Sequence, residues 1–568
     1  DAMDEYNNGK FLRITHYLKL DGIINLIGES QLLQDEASIL EEASSGYLER
    51  DQQGTRNSFN YNYWSSPVSA QGSSNNSPYT ISTILRDGTN TQNPLNIDFR
   101  GGHAAADQAR TSPIIISAYW LHAFNGRANQ YGDWEHIGAN GTLNTGEGFT
   151  MKGSSGTASI LEEQNYVFTG KPHNGRIELN IGPDMNYLVG NPYPSALNAN
   201  EFILDNLKDV TDGRNSQNVF NGVVYFWDHF GAENTHILRE YVGGYAAYSL
   251  AGGVQAISND YRINANDAKG TKTPQQFIPV GQGFFLNTRL DEENSGNITI
   301  AGGDVIFKNS QRQGVRENVS SSIFLQPLAK SKNIKAQDSD ERAKIRLKFH
   351  SPKGYHRQIL VTRDVNTSNG FDLGYDAPLI ENNQEDMYWL IDSSKVVIQG
   401  VPNFNTGQVL PIGVKIAGDG YFKIHIDSLE NFPDEIPVYL NDKLLDTVHD
   451  LKEKPYDAIS QLGRIHNRFQ IIFKNIKAIP EIPEKPDLSS TIDFKYNDET
   501  YELRIDNPEL IEISEVHVFD LSGKLVQTHT DIPLQKQNIL VINPVGASVY
   551  IVKLITADGN RNKKFIMK

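Results

Sequence analysis

Four landmarks occur twice, in the same order, between residues 51 and 315. The first copy opens on Asn60-Tyr61-Asn62-Tyr63-Trp64-Ser65-Ser66-Pro67-Val68, the second on Asn186-Tyr187-Leu188-Val189-Gly190-Asn191-Pro192-Tyr193-Pro194-Ser195. An aromatic run follows in each, Ala118–Phe124 and Val224–Phe230. A glycine pair ahead of apolar residues comes next, Gly146-Glu147-Gly148-Phe149 and Gly281-Gln282-Gly283-Phe284. Each copy closes on a strand and turn, Tyr166–Gly170 and Asp304–Lys308. The stretches between landmarks differ in length, as loop insertions on a shared strand framework would make them. This predicts two related β-rich units, 51–183 and 184–315, or two halves of one sandwich. Short helices are expected only around 104–110 and 200–207.

The rest of the chain reads as further all-β material. Residues 1–50 carry short apolar rungs, Tyr17–Leu20, Ile24–Leu26 and Gln31–Leu33, punctuated by Asp21-Gly22 and Gly28. Such rungs fit the last coils of a β-solenoid or a plain meander. Residues 316–475 are expected to form a β-sandwich, with Phe422, Ile424 and Ile426 alternating with polar neighbours. Asn441-Asp442 is read there as a hairpin turn, and 330–342 as a polar lead-in. Residues 476–490 are a proline-rich linker, extended and open to a protease. Residues 491–568 form a small Ig-like sandwich with turns at Ser522-Gly523 and Asp558-Gly559. The expected fold class is therefore all-β, with sandwich or jelly-roll-like domains in series and a solenoid end at the start.

Composition narrows the function. The chain has 568 residues, enough for three to five units at roughly 100–200 residues each. A net charge of −17 argues against a nucleic-acid partner, since phosphate binding needs a basic face. With no cysteine, disulfides, thiolate metal sites and cysteine nucleophiles are excluded. No apolar run is long enough for a transmembrane helix. The polar, acidic Asp1-Ala2-Met3-Asp4-Glu5 is not a signal peptide; a mature product or the tail of something longer is expected.

The final domain resembles the type A C-terminal sorting domain of the type IX secretion system. The resemblance rests on Val516-His517-Val518-Phe519-Asp520-Leu521-Ser522-Gly523-Lys524-Leu525-Val526, then Gly546-Ala547-Ser548-Val549-Tyr550-Ile551-Val552-Lys553-Leu554, then Asp558-Gly559 and Lys563-Lys564-Phe565-Ile566-Met567-Lys568. Ile505-Asp506-Asn507-Pro508 fits more loosely, and Gly546–Val549 lengthens one turn of the family pattern. Residues 50–475 are similar, again loosely, to the region ahead of this domain in large adhesin-like surface proteins of gliding bacteria. Tyr63–Val68, Gly190–Ser195 and Gly370–Asp376 carry that likeness. The resemblance implies an exported cell-surface cargo without enzymatic activity. It would cross the periplasm and outer membrane, with a translocon barrel, an outer-membrane shuttle barrel and a sortase-like protease as partners. Surface glycans or lipopolysaccharide are further expected partners. Lys563, Lys564 and Lys568 would meet acidic groups of the receptor, or guard an edge strand. The alternative is the accessory and sorting region of a secreted enzyme or glycan-binding protein whose active module lies upstream.

Reactive motifs are sparse. There is no zinc-protease helix, nucleophile elbow, P-loop or dinucleotide fingerprint. Asp133-Trp134-Glu135-His136 would put two carboxylates on one strand face, as a glycosidase needs, but the second copy lacks the pair. Trp227-Asp228-His229 reads as a packed strand with a polar edge. Two loops are weak candidates for Ca²⁺: Asp205, Asp209 and Asp212, and the denser Asp364, Asn366, Asp372 and Asp376. Asx-turns explain such sequences more often. Trp64, Trp120, Trp134 and Trp227 would stack sugars if one concave face exposed them, and would be core if buried.

Overall fold

Alternating apolar and polar residues between Gly, Asn and Asp turns give strands throughout the computed structural model. It describes residues 9–127, 130–160, 162–231, 234–258, 260, 262, 270, 272–290, 300–317, 340–459, 462–474, 491–543, 546, 548–556 and 559–567. Among them the only α-helices are Ile81–Ile84 and Ala199–Asp205. The second starts on Asn198, whose side chain caps the amides of Asn200 and Glu201. The helix expected at 104–110 is instead a pair of turns, closed by Ala105 on Gly102 and Asp107 on Ala104. The linker 476–490 and most of the 330–342 lead-in lie outside the described residues.

The first fifty residues coil. Phe11–Ile14, Tyr17–Leu18 and Ile23–Leu26 run parallel to Gln31–Gln34, Ile39–Leu40 and the start of Tyr47–Thr55. Three parallel rungs in succession are a solenoid end, not a meander. Matched side chains stack between coils: Arg13 on Asp35 at 2.8 Å, Tyr17 on Glu41 at 2.5 Å, Asn25 on Glu49 at 3.0 Å. The last rung does not stop at residue 50. Tyr47–Thr55 continues as the antiparallel partner of Glu163–Pro172, so the coil runs directly into the duplicated region.

The duplication is structural. In the first copy Tyr61–Trp64 pairs with Phe149–Lys152, with Trp64 opposite Phe149. In the second, Asn186–Gly190 pairs with Gly283–Asn287, with Val189 opposite Phe284. In each, the strand before the copy pairs with its closing strand: Tyr47–Thr55 with Glu163–Pro172, and Ile177–Ile181 with Gly303–Phe307. The copies then interlock. The Ser65 amide donates to the Gly281 carbonyl at 2.8 Å, and Gly190 donates to Gly146 at 3.0 Å. Gly146 and Gly281 both sit at positive φ, +93° and +69°, where a side chain would be strained. They are thus two halves of one body. Its larger core takes Tyr63 and Phe124 from the first half.

Residues 343–473 form one eleven-stranded sheet around a second core that includes Leu347, Trp389, Ile412 and Phe469. Phe422 and Ile424 are buried and Lys423 exposed, the alternation expected. Asn441 and Asp442 are not the turn. They end the strand Tyr439–Asp442, and the chain reverses over 443–446. Asp442 is held inside by Arg468 at 2.7 Å and Tyr456 at 2.6 Å, a buried ion pair that a turn position could not provide.

The last sandwich has seven described strands. Three form one sheet: Asp493–Asn497, Glu502–Asp506 and Gln537–Val541. Four form the other, in the order Leu525–Thr530, Ile513–Asp520, Ser548–Thr556, Gly559–Met567. Phe494, Leu503, Val516, Val518, Tyr550 and Val552 fill the space between.

Candidate functional site

The described residues among those expected to carry the secretion address lie on this sandwich, and most of them build it. Val516, Val518, Tyr550 and Val552 are fully buried. Asp520 shapes the turn, accepting from the amides of Ser522 at 2.9 Å and Lys524 at 3.1 Å, with Gly523 at φ +77°. Gly546 is also left-handed, and Tyr550 donates its hydroxyl to the Gly546 carbonyl at 3.2 Å. The lengthened turn therefore stays tied to the strand it precedes. Gly559, at φ +145°, pairs with Thr556 across the last hairpin. Asp558 and Lys568 lie outside the described residues.

The final strand, Gly559–Met567, is an edge. Among the described residues it pairs only with Ser548–Thr556. Its side chains divide by face. Phe565 packs at a tilt on Phe494 and Tyr496. Lys563 reaches back across the sandwich to Asp493 at 2.9 Å, so this lysine has an acidic partner in its own domain. Lys564 and Ile566 point the other way and are exposed, Ile566 at 67%. On that face Asn562 donates to the Leu445 carbonyl of the preceding domain at 2.5 Å and Lys564 lies near Arg468 and Asp442. It is therefore the unpaired backbone edge, with Ile566 exposed beside it, that is equipped for strand addition.

The candidate cation ligands do not assemble. Asp364 is paired with Arg342 at 2.7 Å and accepts from the Asn366 amide, Asp372 accepts from Ser368, and Asp376 accepts from the amides of Asp372 and Gly400. Asp205 is buried against Arg214 and Lys308, while Asp209 accepts from Asn218. Among the described residues no three His, Asp or Glu side chains form a metal-holding group. The oxygens are occupied by turns and guanidinium groups, so the calcium expectation is not supported. The glycosidase-like pair does not share a strand either. Asp133 lies in a short 3-10 turn and accepts from the Arg127 amide at 2.8 Å; Glu135 stands exposed on the strand Trp134–His136.

The four candidate tryptophans split; the fifth, Trp389, is buried in the second core. Trp64 is core, 1% exposed, wedged against Tyr166 and Phe168. The other three gather on one face where the two halves meet. Tyr63 stacks on Trp227 with centroids 5.9 Å apart and meets Trp134, Tyr245 and Phe285 edgewise or tilted. Two cavities open on this face. One, of about 190 Å³, is walled by Tyr61, Tyr119, Trp120, Trp227 and Tyr241. The other, of about 280 Å³, is walled by Phe124, Gln130, Asn186, Tyr245 and Asn287. Tyr131 and Trp134 line both.

A polar chain lies behind the smaller cavity. Lys152 is buried, with its ammonium 3.7 Å from the Trp120 ring centroid and beside the rings of Tyr61 and Tyr241. It contacts the Tyr241 hydroxyl at 2.5 Å and His236 Nδ1 at 2.8 Å, and His236 Nε2 meets Asp107 at 2.9 Å. A neutral imidazole with its proton on Nε2 satisfies both partners. Burial pushes the Lys152 ammonium down to about 7, with the Asp107 charge opposing the fall. Sequence reading named three of the tryptophans but missed Tyr61, Tyr63, Lys152 and Tyr241. Tyr61 and Tyr63 alternate within the first landmark and so share a face, which was the available signal. Lys152 and Tyr241 carry none, because distant segments bring them there.

The model of a domain of unknown function (DUF8693) matches residues 2–473. No curated protein matches the chain.

Proposed function

The chain belongs to the DUF8693 family, and from that premise we propose that it is a non-enzymatic, adhesin-like surface cargo whose last sandwich is a type IX sorting address. The observation that carries this reading is the modular join. The family match ends at residue 473. The sorting-domain motifs begin beyond it, in a sandwich with its own core. That separation is what a transferable address requires. The motif residues form the core, turns and edge of one module, which supports their being a folded signal rather than scattered likenesses. On this reading the open edge, with Ile566 and Lys564 outward, is what the outer-membrane barrels engage, and a sortase-like protease acts upstream of the sandwich.

The test compares the intact chain with one ending at Asp487 in a type IX-competent bacterium. The intact chain should reach the cell surface and bring down outer-membrane barrel components; the shortened one should stay in the periplasm. Equal export of both would refute the address.

A further inference from the structure

The geometry points to the paired aromatic cavities between the two halves as a binding site for a neutral oligosaccharide. Together their volumes fall within the ~300–1,000 Å³ typical of small-molecule sites. Their linings decide the ligand class. Neither contains Asp, Glu, Lys or Arg among the described residues. Aromatic faces, the amides of Gln130, Asn186 and Asn287, and tyrosine hydroxyls make up most of the walls. A nucleic-acid strand would need a cationic groove, which is absent from the lining. The cation that is nearby, Lys152, sits behind Trp120 and spends its charge on the rings and on His236. An amphipathic, uncharged ligand remains. A sugar ring offers an apolar C–H face to a flat aromatic side chain and a rim of hydroxyls to amides.

Two further observations set this face apart from ordinary core. The mouth carries large aromatic side chains in solvent, Tyr131 at 72% and Tyr119 at 51% exposure. On the wall, the buried Trp227 Nε1 and Asn186 Oδ1 have no hydrogen-bond partner. An unsatisfied buried polar atom costs about 1–3 kcal/mol, so the residues of this wall hold hydrogen-bonding capacity that the chain leaves unused, at atoms closed to solvent in this structure. Because Tyr131 and Trp134 wall both cavities, they form a partition that two successive sugar rings would straddle. The site exists only because the copies interlock: Tyr61 and Tyr63 come from the first, Trp227 and Tyr245 from the second.

The test is calorimetric titration of the full chain with uncharged hexasaccharides of glucose (β-1,4 and α-1,4), xylose and mannose, and with oligogalacturonate as the charged comparison. At least one uncharged hexasaccharide should bind saturably. Tyr131→Ala and Trp134→Ala should each weaken it about tenfold or more, near 1.4 kcal/mol, and Tyr421→Ala, exposed on another sheet, should not. Tyr131 is solvent-exposed, so its loss leaves folding intact even if the Trp134 variant misfolds. No saturable binding by any uncharged member, binding of oligogalacturonate alone, or binding indifferent to Tyr131→Ala would each overturn the assignment.

Discussion

Trp64 and Val189 occupy equivalent places in the two copies, and each bridges to the other copy: Trp64 to Gln282, Val189 to Glu147. The exchange is reciprocal, so an approximate two-fold axis passes between the glycine pairs. Neither copy completes this seam alone, and the aromatic face with its cavities is a product of the seam.

The seam is tight, so adding one methyl group should loosen it. A Cβ on Gly283 would stand 2.8 Å from the Trp64 backbone nitrogen and oxygen; on Gly148 it would stand 2.8 Å from the Val189 carbonyl. Backbone atoms cannot swing aside as a side chain can. Gly148→Ala and Gly283→Ala should each cost about 1–3 kcal/mol, read by urea unfolding. Gly22→Ala, which meets nothing within 4 Å, should be close to neutral. Similar midpoints for all three would mean the seam is soft.

The sequence disclosed the seam's existence but not its form. Repeated landmarks are legible because strand, turn and glycine pair each have local causes. The solenoid rungs were readable for the same reason, since Leu26, Leu32 and Leu48 recur between turn residues and all fall in one core. What stayed hidden depends on chain segments far apart. Nothing near Lys152 announces that Tyr241, His236 and Asp107 will surround it. Asn441-Asp442 has turn chemistry, yet the buried Arg468 overrides it. The acidic loops have ligand chemistry, yet Arg342 reaches Asp364 from the bend just before the strand Lys344–His350.

His173 should make the fold acid-labile. It is fully buried, with Nε2 on Ser69 at 2.8 Å and Nδ1 on the Pro192 carbonyl at 3.0 Å. Burial pushes its pKa down to about 4. Below the unfolded value of about 6.5, the unfolded chain binds a proton that the folded chain refuses. Stability is therefore intact above pH 6.5 and falls as pH drops towards 4, by about 3 kcal/mol from this group. His229, pushed down to about 3 for the same reason, adds to the effect. In denaturation at pH 7.5 and 4.5, His173→Gln should lower stability at the higher pH and shrink the difference between the two. An unchanged difference would show that His173 does not titrate with unfolding.

Lys152 should titrate in a range where ordinary lysines stay charged. Its ammonium lies against the Trp120 ring, so losing the proton changes that ring's surroundings. Tryptophan emission of the full chain should shift with a midpoint near pH 7, and Lys152→Met should abolish that component. His236 also faces Lys152 and has a lowered pKa, so His236→Gln should move the midpoint rather than remove it. A titration that survives in Lys152→Met belongs to another group.

The two neighbouring lysines of the last strand should behave differently. Lys563 is tied to Asp493 at the surface, an interaction worth at most about 1 kcal/mol. Lys563→Ala should therefore lower sandwich stability slightly and leave export close to normal. Lys564 and Ile566 stand on the opposite face of an unpaired edge. If the shuttle barrel takes up that edge, Lys564→Glu and Ile566→Glu should cut surface delivery severalfold while the purified chain unfolds at an unchanged midpoint. Each substitution alters an exposed side chain and leaves the core of Val516, Val518, Tyr550 and Val552 alone. Delivery lost with Lys563→Ala but kept with the other two would place recognition on the Asp493 side of the sandwich instead of its open edge.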